Sequence, residues 1–192
     1  MKKNIFPLEP ERIYHIYNRG INGGQLFFNH QNYLYFLKLV AAKINPIAKV
    51  YSYCLLQNHF HILLEIRSET IIRQTFPEKE KTVIHHIISH QFSNAFNSYS
   101  QAVNKHFGRT GKLFELPFRR KEITSSQQLM NTVLYINKNP VKHKITNNFL
   151  TYPYSSVDEI INNKSVLVES DIMLSLFNNT DAFIIALRDY RV

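Results

Sequence analysis

The chain has 192 residues, 44% of them hydrophobic and 19% charged, a balance that excludes a disordered chain and predicts a globular one with a real core. Its net charge of +9 suggests an anionic partner, nucleic acid or membrane surface, while the one cysteine, Cys54, excludes an internal disulfide and fits a reducing cytosol. No run approaches the ~18 uninterrupted apolar residues of a membrane span, and the basic start Met1-Lys2-Lys3-Asn4-Ile5-Phe6-Pro7 lacks the apolar stretch of a secretory signal. A soluble, cytoplasmic protein with no membrane partner is expected.

In chain order, Arg12-Ile13-Tyr14-His15-Ile16-Tyr17-Asn18 alternates and is rich in β-formers, so it predicts a first strand ended by Asn18-Arg19-Gly20. Asn29 can cap a helix to about Ile44, with Tyr33, Phe36, Leu37, Val40 and Ala41 at helical spacing and Pro46 soon after. Val50–Leu56 and His59–Ile66 form two strands joined near Gln57-Asn58, or one long strand broken there. Glu78 to about Phe107 is a longer helical stretch with Ile84, Ile87, Ile88, Phe92, Ala95 and Phe96 in its apolar stripe, ended by Gly108. Lys112–Phe118 follows as a short strand or extended arm. Ser125-Ser126-Gln127-Gln128 has the form of a capping box and opens a helix to about Asn139, which Pro140 halts.

The order β-α-β-β-α-β-α with half-polar strands predicts an α+β domain: a ferredoxin-like or RRM-like antiparallel sheet with helices packed on one face. The expected division is a main domain over residues 1–150 and a small helical C-terminal appendage over 151–192. Residues 100–145 carry nine Lys/Arg against two acids, Glu115 and Glu122, so this window supplies +7 of the net charge. Such concentration favours a polyanion track over a general solvated face.

Within the third apolar run lies Asn58-His59-Phe60-His61-Ile62. In an extended strand His59 and His61 share a face while Phe60 and Ile62 turn to the core, so two imidazoles stand where they can hold one metal ion or simply form a polar face. His86 and His90, an i, i+4 pair on the long helix, have no acidic or cysteine partner nearby. On the helix from Ser125, a wheel at about 100° per residue places Gln128, Asn131, Thr132 and Asn139 within about 60° of Tyr135, with the apolar residues on the far side. Tyr135 therefore lies on a polar helix face, with Asn139 one turn ahead.

The triplet His59-Phe60-His61, the turn Phe107-Gly108-Arg109-Thr110-Gly111-Lys112-Leu113-Phe114 and the segment Tyr135-Ile136-Asn137-Lys138-Asn139-Pro140-Val141-Lys142 resemble, in order and spacing, the HUH single-tyrosine transposases, and among them the REP-associated tyrosine transposases. Tyr14–Gly20, Gln91–Asn97 and Tyr152–Ser156 add to the likeness, which spans roughly residues 12–157. The resemblance implies His59 and His61 as metal ligands, Asn139 as a further ligand through its side-chain oxygen, and Tyr135 as the nucleophile that forms a 5′-phosphotyrosine and frees a 3′-hydroxyl. One departure is Gln57, which stands where proline commonly precedes the Asn-His of this family and leaves the turn less rigid.

Two imidazoles and an amide oxygen suit a labile Mg2+ or Mn2+ better than zinc, which usually gains a thiolate or carboxylate. Arg109, Lys112, Arg119, Arg120 and Lys121, with Lys138 and Lys142 on the tyrosine helix, are the candidate backbone contacts to single-stranded or hairpin DNA. Phe107, Phe114 and Phe118 are candidates for stacking on unpaired bases, and Asn18-Arg19 for reading bases near the cleavage point. Two other readings stay open: a DNA- or RNA-binding module without cleavage, and a hydrolase in which Glu65 helps the histidines activate water. Whether the chain works as a monomer or a homodimer is left open.

Overall fold

The computed structural model describes residues 6–191, so most of the basic N-terminal start lies outside the described residues. Four strands, β1 (Ile13–Arg19), β2 (Ala48–Leu56), β3 (His59–Ile66) and β4 (Arg119–Ile123), form one antiparallel sheet in the order β2-β3-β1-β4. The expected α+β class with a ferredoxin-like strand order is what the chain adopts. The fourth strand follows the Lys112–Phe118 segment rather than occupying it. That segment is an arm held beside β1 by an isolated bridge, Gly20 to Phe114, and by side-chain contacts to Glu115.

The strand period of two sorts the sheet into two faces. On one, Phe60 meets Phe36 of α1 (His30–Leu39) at 4.9 Å between ring centroids and Phe96 of α3 (Ile84–His106) at 5.4 Å. Asn29 caps α1 by accepting from the backbone N–H of Asn32, as its sequence position predicts, and the helix runs on as a π-helical turn over Val40–Ile44. The predicted long helix begins at Ile84 rather than Glu78, after a 3-10 turn at Pro77–Lys79, and Glu69–Thr75 forms a separate α2 before it. Helices thus cover this face, although not this face alone.

The opposite face, bearing the histidines, takes α4 (Ser126–Lys142). Ser125 caps it by accepting from Gln128 N–H, while Gln128 reaches back to Thr124 N–H. Pro140 does not halt α4; the helix runs to Lys142. Proline's missing N–H would leave the Ile136 carbonyl bare, and the Asn139 side-chain amide donates to it at 3.5 Å as well as to the Tyr135 carbonyl at 2.8 Å. A buried polar knot fastens α4 to the sheet: Asn137 donates to Ser52 and accepts from Ser156, each at 3.0 Å.

The C-terminal part is not loosely appended. Leu55 N–H donates to the Tyr154 carbonyl, Ser156 N–H to that of Tyr53 and Glu169 N–H to that of Val50, so residues 154–169 complete the hydrogen bonds of edge strand β2. Helices α5 (Val157–Ile161), α6 (Ser170–Leu176) and α7 (Thr180–Asp189) follow. Cys54 is fully buried, and no helix of the described residues is long and apolar enough to cross a membrane.

Candidate metal centre and tyrosine site

His59 and His61 open β3 straight after the two-residue turn Gln57-Asn58. The turn is braced although proline is missing. The Gln57 carbonyl accepts from Leu26 and Phe27 N–H, and the Asn58 carbonyl accepts from Gly20 N–H at 2.9 Å. Gly20 is required there, since a Cβ would stand 1.9 Å from the Gly24 carbonyl oxygen. The two imidazoles lie perpendicular with centroids 5.3 Å apart, and the Tyr135 ring of α4 stands edge-on to His61 at 5.6 Å. His59, His61 and Tyr135 line one cavity of about 370 Å³ together with Asn18, Arg19, Arg119 and His143.

The imidazoles are kept neutral. Burial lowers His59 to about 4, helped by His143 and Arg19. Burial also holds His61 well below the usual imidazole value, with His15, His59, His143 and Lys142 acting the same way. Neutral rings have the lone pair a metal needs, in surroundings positive enough to attract a phosphate. Tyr135 is shifted up by burial, partly offset by the Asn139 side chain, so its phenol stays protonated at neutral pH.

Among the described residues no three His, Cys, Asp or Glu side chains form a metal-holding group, so any third protein ligand beside His59 and His61 would be of another type. Asn139 fits. Its amide nitrogen is used by the helix carbonyls, and its Oδ1 is a buried acceptor with no hydrogen-bond partner. An orphaned buried acceptor is costly unless something binds it. The donor set of two neutral imidazoles and an amide oxygen therefore fits a divalent ion.

The basic candidates divide. Arg119 and Lys121 share the histidine face, opposite Tyr17 and His15 in register, and Lys142 lies over the Tyr135 ring at 4.7 Å. Arg19 and Arg119 flank the cavity and share Glu115, at 2.5 and 3.5 Å. Arg120 points to the other face, stacked over Phe118 at 4.3 Å and donating to the Phe6 carbonyl, away from Tyr135. Lys138 is 9% exposed, with its ammonium over the Phe149 ring and 3.5 Å from the Arg188 carbonyl. Its expected DNA contact is therefore corrected to a packing role that ties α7 to α4. Arg109 packs over Phe28, while Lys112 is exposed beside a second cavity of about 250 Å³. Asn18 is buried and tethers the arm, donating to the Glu115 carbonyl at 3.0 Å. Of the three phenylalanines, Phe114 is core, Phe118 stacks on Phe92 and Phe107 is exposed.

Three residues of the site escape the sequence reading. His15 and Tyr17 follow from the alternation of β1 once its pairing with β3 is known. His143 continues the series Tyr135, Asn139 at the same four-residue step and meets His59 edge-on with ring centroids 4.7 Å apart. Its signal was present, but it lies beyond the proline expected to end the helix.

A four-stranded antiparallel sheet in the order β2-β3-β1-β4, with a His-x-His pair on one strand facing a tyrosine on the covering helix, defines the class of fold. No family model matches the sequence, and no curated protein matches it either. Among solved structures the chain is similar to the REP-associated tyrosine transposase bound to a REP hairpin, with a TM-score of 0.60, 14% identity and coverage of 89% of this chain and 90% of that one. It has the fold of that transposase along nearly its whole length.

Proposed function

We propose that this protein is a metal-dependent, single-tyrosine endonuclease and strand transferase acting on single-stranded or hairpin DNA. The observation that carries the reading is the meeting of His59, His61 and Tyr135 in one cavity, with the buried, unpartnered Asn139 oxygen one helical turn from Tyr135. Mg2+ or Mn2+ held by His59, His61 and Asn139 Oδ1 would polarise the scissile phosphate and orient it for in-line attack.

The rest falls to the chain's own groups. The Tyr135 phenol oxygen attacks phosphorus and loses its proton, a P–O phosphotyrosine bond forms, and the bond to the 3′-oxygen breaks. That oxygen leaves as a 3′-hydroxyl after taking up a proton. Energy is retained in the ester, so the 3′-end can later attack in reverse and no nucleotide cofactor is needed. Arg119, Lys121 and Lys142 on the histidine face supply salt-sensitive attraction for the backbone. The neighbouring fold's REP hairpin supports a hairpin partner for this chain too, and a soluble cytoplasmic protein is the setting the composition supports. The hydrolase reading is disfavoured by Glu65, which is bound to Tyr51 and ion-paired with Lys49 at 3.6 Å, outside the cavity.

Covalent capture tests the proposal. Protein incubated with a hairpin oligonucleotide and Mn2+ should give an adduct that survives a denaturing gel, and Tyr135→Phe should give none. An adduct formed equally by Tyr135→Phe would remove Tyr135 as nucleophile. DNA binding with no adduct under any metal would favour a binding module on the same fold.

A further inference from the structure

His61 is held by a partner that no motif announces. His15 of β1 sits diagonally across the strand pair, its register partner being Leu63, and its Nε2 lies 2.9 Å from His61 Nδ1 in a buried contact. Only one proton occupies the line between two such neutral nitrogens, so one ring donates and the other accepts. His59 has the same arrangement in a simpler form. Its Nδ1 lies 2.7 Å from Asn58 Oδ1, an acceptor only, so Nδ1 carries the proton and Nε2 keeps its lone pair.

We infer that His15 is the positioning residue of the metal centre, accepting the Nδ1–H of His61 at its own Nε2 and so leaving Nε2 of His61 unprotonated for the ion. This rests on the metal-site reading above and deepens it. In this tautomer His15 carries its own proton on Nδ1. His15 lines an open cavity of about 650 Å³ shared with Lys121, Gln128 and Tyr190, and neither of its ring nitrogens is a buried atom without a partner. The opposite tautomer would protonate His61 on Nε2, where a proton and a metal compete for one lone pair. Both ligands of the strand would then be oriented through Nδ1, one by its chain neighbour and the other across the sheet. Partners of metal-bound imidazoles typically change metal affinity by about 10- to 100-fold when removed.

The test uses the intact protein without DNA. Mn2+ binding is followed by the loss of the free-ion EPR signal for wild type, His15→Phe and His15→Gln, with folding checked by circular dichroism. His15→Phe keeps the ring packing against Tyr17 and His61 but has no acceptor, and should weaken Mn2+ binding by about 10-fold or more. His15→Gln, whose amide oxygen can accept the Nδ1–H, should restore most of that affinity. Long-range 1H–15N spectra of the imidazoles should show His61 protonated at Nδ1 in wild type and not held in that form in His15→Phe. Unchanged Mn2+ affinity in folded His15→Phe, or His61 protonated at Nε2 in wild type, would overturn the assignment. If wild type itself binds no Mn2+, the metal-site reading fails first, and with it this inference.

Discussion

Acid should loosen this fold before its carboxylates titrate. His15 and His59 are both lowered to about 4, chiefly by burial, and His61 is held well below the usual imidazole value by the same cause. The unfolded chain takes up protons at about 6.5 and the native one does not, so stability is complete above that pH and is lost as pH falls toward 4. At pH 5 a histidine with those two values disfavours the native state by about 2 kcal/mol relative to pH 7.5. His15 contributes that much, the partly exposed His59 less because solvent screens it, and His61, also held low by burial, acts in the same direction. A total of more than about 2 kcal/mol is expected for the metal-free protein, a large share of the roughly 5–15 kcal/mol that holds a typical domain together.

Urea unfolding in EDTA at pH 7.5 and pH 5.0 measures it, and His61→Gln should reduce the difference. Saturating Mn2+ should stabilise the wild type at pH 7.5, by about 2.7 kcal/mol at a hundred times Kd, and far less at pH 5, where protons compete for the same nitrogens. A change below about 1 kcal/mol between the two pH values, or the same change in His61→Gln, would refute the burial argument.

Asn137→Ala should destabilise the protein by about 1–3 kcal/mol, because Ser52 and Ser156 lose a buried partner; an unchanged thermal midpoint would remove the knot from the list of stabilising contacts. Arg119 on the histidine face and the packed Lys138 separate in salt titrations of hairpin binding. Arg119→Gln should lower the slope of log K against log salt by about 1, while Lys138→Gln should leave the slope alone and lower the melting temperature. A slope change in Lys138→Gln would restore its contact to DNA.

How much of this was legible beforehand depends on the range of the interaction involved. The caps at Asn29 and Ser125, the hairpin at Gln57-Asn58 and the alternation of His59 and His61 are local, governed by residues within a turn of each other, and they appear where the sequence places them. The helix end at Pro140 misled because proline forbids only its own hydrogen bond. Asn139 replaces that partner, α4 continues, and His143 arrives beside His59. Lys138 misled because a charge in a basic window has no address until the C-terminal helix packs over it.

The sequence by itself determined the α+β order of elements, the face shared by the two histidines and the polar helix face bearing Tyr135, since strand and helix periods are properties of the backbone. Tertiary structure alone decided that His15 reaches His61 across strands 46 positions apart, that Tyr135 stands over that pair, and that Asn139 keeps a buried oxygen without a partner. Those relations depend on strand register and helix docking, which are settled by packing over the whole core and are written in no single segment.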